Sequence, residues 1–440
     1  MPATAKKKAS SVRHTRAVQR DRTKRPLTAP PDEHIAARLT ALVHPATLQL
    51  VRYYHQLGLR ERLLTLPVMV AFVLSLIWRQ FNGVSELVRV VQQEALLWVP
   101  PLQRVSQQAL AQRLRTLPAA LFLRLLCQLV PVFHARWQTR QRPLPAVIAW
   151  AQSRYTQLLI GDGSTLDALI RKVGLLRDLP THPLAGRMTA LLELASRLPW
   201  RIWYEPDPQA NDQRCWPQML AVLKAGALLL FDLGYTNFTV FAQLTQAQVT
   251  FITRAKVNLA YQLVTPLQRS DRIHDLLVWI GQGADRQRVR LIEVLYHGVW
   301  YRYLTNELDP QRLPVEYVVA LYQQRWRIED AYAIVKRLLG LAYFWCGAQN
   351  AVELQLWATW LLYAVLVDLT DAVAEALEQP MATVSLEMVY RSLYFFTQAY
   401  HRGEATDVVL YLAANAKRLG ILKRPRKPAR QQQPICAHGP

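Results

Sequence analysis

The stretch Tyr322–Arg337, YQQRWRIEDAYAIVKR, decides how the rest of the chain is read. Tyr322 and Glu329 stand seven residues apart, Lys336 follows seven later, and Arg325 precedes Glu329 by four. At about 100° per residue of helix, these four side chains fall at roughly 0°, −20°, −40° and −60° around the axis. They share one narrow stripe. An Arg–Glu pair at this spacing alone is worth a few tenths of a kcal/mol as a surface ion pair. One carboxylate flanked by two cations and a phenol is instead a surface suited to holding a metal ion beside a phosphate backbone. Trp326 and Ile328, off the stripe, are expected to pack this helix onto a sheet.

Two earlier carboxylates extend the pattern. Asp162 closes the apolar run TQLLIGD and is followed by Gly163-Ser164, and Asp232 closes ALLLFD ahead of Leu233-Gly234. Open α/β sheets place ligands at the carboxyl ends of such strands. Either Asp alone could simply make a turn. Two strand ends and the Glu329 face supply three acids able to converge. Three oxygen-donor acids suit a hard cation such as Mg²⁺, and paired ions can serve an in-line displacement at phosphorus. Asp167, Glu205 and Asp330 are nearby acids left outside this set. The lone His182 is read as a turn residue, and no Gly-rich phosphate loop implies ATP.

The pattern Y-x2-R-x3-E-x6-K, preceded by two strand-end aspartates, resembles the transposases of bacterial insertion sequences. The match is to the branch with the Tyr-Arg-Glu-Lys signature (insertion-sequence family 4) and covers about residues 150–370. IGDGSTLDAL, LLLFDLGYTNF, FITRAK and YLTNELD each resemble a family segment. The resemblance implies a ribonuclease H-like α/β catalytic core with a β-rich insertion, an α-helical N-terminal domain and C-terminal helices. It implies Asp162, Asp232 and Glu329 as catalytic and metal-holding residues, with two Mg²⁺ ions and Mn²⁺ as a substitute. Arg325 and Lys336 would hold DNA phosphates, and Tyr322 the terminal phosphate. Arg254 and Lys256 of FITRAK would track DNA. Related enzymes stack an insertion-domain Trp on a flipped base. Here Trp300 is beside that position, and Tyr301 is at it when counted back from Thr305. The implied partners are transposon terminal inverted repeats and target DNA, bound by a homodimer in the bacterial cytoplasm at the nucleoid, with no membrane.

The remaining sequence is organised around this core. The 440 residues are half apolar and carry a net charge of +22, which favours a polyanionic partner. Fifteen of those charges lie in two basic tails, 1–30 and 416–440. Residues 31–145 read as a helical, DNA-end-binding domain, with VSQQALAQRL resembling one helix of a small DNA-binding bundle. The core is expected at 150–233 and 312–372, the β insertion at 234–311, and further helices at 373–415. Within the core, RMTALLELASRL reads as a helix between two strands. Cys127, Cys215, Cys346 and Cys436 are scattered, so neither a zinc site nor a disulfide framework is expected. The basic N-terminus lacks the apolar stretch of a signal peptide. The apolar runs Val68–Trp78 and Leu356–Val367 are short of the roughly 20 residues of a spanning helix. Two rival readings remain at this level: a DNA-binding protein that has lost catalysis, and a stand-alone metal-dependent nuclease.

Overall fold

A computed structural model of the chain describes residues 33–59, 62–81, 83–166, 186–207, 209–341, 344 and 348–423. Most of both basic tails, Asp167, His182, Cys346 and Cys436 lie outside these residues. The N-terminal part is helical, as its apolar spacing requires. It comprises α1 (Glu33–Gln49), α2 (Val51–Gln56), α3 (Leu66–Trp78), α4 (Val84–Gln93), α5 (Gln107–Thr116) and α6 (Ala120–Thr139). Ser106 caps α5 by accepting the Ala109 N–H at 3.1 Å. A short helix, α7 (Ala146–Gln152), follows Pro145 and leads into the sheet.

The sheet has nine strands: β1 (Gln157–Thr165), β2 (Arg187–Glu193), β3 (Pro199–Glu205), β4 (Ala227–Phe231), β5 (Thr250–Arg254), β6 (Gln262–Arg269), β7 (Ile273–Ile280), β8 (Gln287–Tyr296) and β9 (Val299–Thr305). Their order is β3-β2-β1-β4-β5-β9-β8-β7-β6. The central strands β1, β4 and β5 are parallel, and the flanking pairs are antiparallel. Between strands lie α8 (Trp216–Leu220) and α9 (Phe238–Gln246). The C-terminal part contains α10 (Val315–Gln323), α11 (Arg327–Ala333), α12 (Gln349–Ala376), α13 (Leu386–His401) and α14 (Val408–Ala414).

Alternation along the strands feeds two cores. Leu158, Ile160, Leu228 and Leu230 face the large core shared with α6 and α12. Leu159, Leu229, Phe231 and Phe251 face a smaller one closed by Phe241 and Leu244 of α9. Burial on both faces explains the near-continuous apolar runs of β1 and β4.

One expectation needs correction. RMTALLELASRL is not a helix: its first seven residues form β2, paired antiparallel with β1 and β3. Met188, Ala190 and Leu192 face one core and Leu191 the other, and such a doubly buried run carries no period that separates strand from helix. The span 234–311 holds α9, β5, which pairs in parallel with β4, and then the antiparallel run β6–β9. The boundary at 372/373 falls inside α12.

At 28 residues, α12 is also longer than its apolar run suggested, and it reaches spanning length and composition. Its apolar window is wholly buried within the protein. It packs against α3, α6, α13 and α14. Near its C-terminal end two buried carboxylates collect arginines from the N-terminal part. Asp368 accepts from Arg140 at 2.6 Å and Arg136 at 3.2 Å, with Arg38 at 3.7 Å; Asp371 accepts from Arg140 at 2.9 Å and from Arg142. This network ties the helical part to the core. Removing one member of a buried ion network strands the others. Asp368→Ala should therefore lower the unfolding free energy by about 3–5 kcal/mol, read from the urea midpoint, whereas an exposed control such as Glu387→Ala should move it by about 0.5 kcal/mol or less.

Candidate active site

Sheet register brings the two aspartates together. In the parallel pair β1–β4, Gly161 lies opposite Phe231. Asp162 and Asp232 are the next residues on each strand, side by side at the carboxyl ends. Neighbouring strands run about 4.8 Å apart, so no loop geometry is needed to place one carboxylate beside the other. Gly163 N–H donates to Asp162 Oδ1 at 2.8 Å.

The third acid arrives on an irregular helix. α10 gives way to a 3-10 turn at Gln324–Trp326, then α11, then a π turn at Ile334–Leu338. The stripe read from ideal helical angles is thus carried by three helical pitches. The side chains nevertheless gather. Arg325, 6% exposed, donates from Nη1 to Asp162 Oδ2 at 3.1 Å and from Nη2 to Glu329 Oε1 at 2.9 Å; its Nε lies 4.0 Å from Asp232 Oδ1. Tyr322 Oη donates to Asp232 Oδ1 at 3.4 Å, and Lys336 Nζ to the carbonyl of Thr165 at the end of β1. The Arg325–Glu329 contact is therefore one limb of a three-acid cluster around a buried guanidinium, not an isolated surface pair.

The electrostatics follow from this crowding. Burial pushes the Asp162 carboxyl up to about 6, assisted by Asp232 and Glu329 and opposed by Arg325 and the Gly163 N–H. Burial opposes the charge of Arg325, but Tyr322 and the acids together raise it above its ordinary value. Burial also raises the Tyr322 phenol, which stays protonated and able to donate.

One face of the sheet continues the site. Tyr303 meets Tyr322 edge-on with centroids 5.3 Å apart, and the Arg254 guanidinium lies 5.7 Å from Tyr303 and 5.1 Å from Tyr301. Arg254 and Tyr301 thus join the acids through Tyr303. Trp300 occupies the opposite face of β9, stacked on His274 at 4.6 Å. Lys256 is exposed in the turn after β5. Ile328 is buried as expected, but Trp326 is not: it is 62% exposed, with the Arg325 guanidinium 5.3 Å from its ring. The 3-10 turn rotates Trp326 off the packed face.

Tyr332 was not singled out from sequence. Its hydroxyl donates to the Asp162 carbonyl at 2.6 Å. Its place three residues after Glu329, on the same helical face, was the available signal.

The donor set, three carboxylates and no sulfur or imidazole, fits a hard divalent cation. The buried Arg325 Nε lacks a hydrogen-bond partner, so the guanidinium neutralises the acids without being fully satisfied. Among the described residues no three acidic, His or Cys side chains stand at ligating distance as they are. A cation held there would have to displace this guanidinium orientation.

Part of the chain is similar to known transposases. Residues 187–365 match the family described as the transposase DDE domain. A stretch of 157 residues is 29% identical to a Sinorhizobium fredii (strain NBRC 101917 / NGR234) protein named provisionally as transposase y4zB, covering 33% of this chain and 43% of that protein. The chain thus spans less than half the length of this curated relative. A solved structure titled as a piggyBac transposase synaptic complex with hairpin DNA aligns over 94% of this chain and 89% of its own, at 10% identity and a TM-score of 0.42, and no argument rests on that likeness.

Because Arg325 is buried against Asp162 while Asp232 and Glu329 remain partly exposed, Arg325→Ala in metal-free buffer should cost about 2 kcal/mol of stability, below the range for breaking a fully buried pair. Arg325→Lys should recover little, since an ammonium cannot fork between two carboxylates. Chemical unfolding in EDTA checks both; an unchanged midpoint in Arg325→Ala would mean that the bridge carries no energy.

Proposed function

We propose that this chain is a DDE transposase of the Tyr-Arg-Glu-Lys branch that cuts and joins DNA at the ends of an insertion sequence. The observation that carries the reading is the convergence of Asp162, Asp232 and Glu329, from three separate segments, on one guanidinium. The match of residues 187–365 to a transposase DDE domain supports it. In this reading the parallel strands and α11 form a ribonuclease H-like core, and strands β6–β9 form its insertion.

Divalent cations, Mg²⁺ or Mn²⁺, held by the three acids would supply an activated attacking oxygen and stabilise the leaving one. The chain's own residues do the rest. Arg325, once released from the acids, is placed to grip a phosphate oxygen through its planar fork. Tyr322 keeps its proton and offers it beside Asp232. Lys336, near the end of β1, adds charge on the phosphate path. Arg254 and Tyr301 lie on the same sheet face and extend that path. Trp300, on the opposite face, is a poorer candidate for base stacking than Tyr301. The helical N-terminal part and basic tails would bind terminal inverted repeats, two copies would pair the ends, and the work would be done in the cytoplasm.

The test is cleavage. With Mg²⁺ and DNA carrying the sequences that flank its own gene, the intact protein should nick at the element end, and Glu329→Ala should bind without cutting. Binding without cutting by both proteins would favour a DNA-binding protein that has lost catalysis. Cutting indifferent to end sequence would favour a nuclease.

A further inference from the structure

Behind α11, on the side away from Glu329, lies a polar cavity of about 180 Å³, where roughly 10–15 Å³ suffices for one water. Its wall combines the β2–β3 turn, α11, α12, the start of α13 and Lys423. Three cations line it: Arg197, Arg327 and Lys423.

Arg197 is the least expected of these. It is 8% exposed and has a left-handed backbone, φ 63°. Its N–H donates to the Glu193 carbonyl at 2.8 Å, and its own carbonyl accepts from Tyr363 Oη at 3.0 Å. The backbone is held on both sides, yet among the described residues the guanidinium makes no hydrogen bond or ion pair. Asp330 acts on this charge only through space, with no ion pair within 4 Å among the described residues, so an anion in the cavity would add the close partner that a buried charge favours.

The neighbours balance these charges only in part: Asp330 favours all three cations, and Glu193 favours Arg327, through space. Arg327 donates only to the Leu194 carbonyl, at 2.8 Å. Asp330 and Glu387 also line the cavity, but Glu387 is paired with Arg391 at 2.7 Å, and among the described residues neither lies within 4 Å of the three cations. Glu193 is committed to the Ser196 N–H. Burial pushes Arg327 down to about 9, with Arg197 adding to the effect and Glu193 and Asp330 opposing it. Arg197 is lowered by burial, and so is Lys423, which also feels both arginines.

The backbone adds to the same field. The 16-residue α13 begins at this cavity, capped by Ser385, whose Oγ accepts the Met388 N–H at 3.3 Å. The Leu386 and Glu387 N–H groups have no backbone acceptor among the described residues. A helix start of this kind favours an anion.

We propose that this cavity is a binding site for a phosphate-type oxyanion. Two planar guanidinium forks match its tetrahedral oxygens, the helix start supplies N–H donors, and Lys423 closes the exposed mouth. A DNA phosphodiester and free phosphate share this chemistry. The inference does not depend on the transposase reading, since it uses none of the three acids.

The test uses the full chain and inorganic phosphate at constant ionic strength, against chloride. Phosphate should raise the thermal midpoint saturably. Lys423→Ala, an exposed change that spares the fold, should weaken phosphate about tenfold, the worth of one charge-assisted hydrogen bond. Arg197→Gln should abolish the response. Affinity for a 20-base-pair duplex (about two helical turns) then separates the sources. A parallel loss in Lys423→Ala, with phosphate competing, assigns the site to a DNA phosphodiester; unchanged DNA affinity assigns it to free phosphate. No saturable response in the unsubstituted protein, or a response unaltered by Lys423→Ala, would overturn the proposal.

Discussion

The Arg325 guanidinium is the point on which the site depends. Three carboxylates drawn together without a cation would repel one another and lose much of their hydration. Arg325, fixed by the 3-10 turn between α10 and α11, bridges Asp162 and Glu329 and approaches Asp232. It permits the strand ends and the helix to meet. Its release is correspondingly a condition for the acids to take another cation.

The rest of the fold makes that meeting accurate. Adjacent parallel strands place two acids at one level by register alone. Arg290, fully buried on β8, is bound by Asp275 at 2.6 and 3.1 Å and donates to the Leu313 carbonyl at 2.8 Å. That contact anchors the segment between β9 and α10, and hence the entry of the helix that brings Arg325 and Glu329. At the far end, α12 is held to the helical part through Asp368 and Asp371. Polar ties of this kind stabilise little relative to apolar packing but fix geometry when one side is anchored. The same short α11 carries Glu329 on one side and Arg327 on the other, so the acid cluster and the cationic cavity share one support.

Much of this was legible from the residues alone. The strand-end aspartates and the Tyr322-Arg325-Glu329-Lys336 spacing located the cluster before any coordinates, because strand period and helical period are local properties. The β6–β9 run was legible for the same reason. What was not legible depended on the sheet. β2 reads as a helix because both of its faces are buried, so the apolar residues lose their alternation. Trp326 reads as core because an ideal helix was assumed, whereas the 3-10 turn exposes it. Counting back from Thr305 puts Tyr301 at the stacking position with Trp300 beside it, but only the pleat shows that the two rings lie on opposite faces. The Arg197 cavity is assembled from segments more than 200 residues apart, ending at Lys423, so no local pattern marks it.

On the proposed reading, Asp162, Asp232 and Glu329 form one cation site that Arg325 occupies until a metal arrives. Anomalous diffraction from crystals of the protein soaked in Mn²⁺ tests this most directly. The account predicts a manganese peak in contact with all three carboxylates and the Arg325 guanidinium turned away from them. Manganese bound elsewhere, or absent while the guanidinium still bridges the acids, would contradict it.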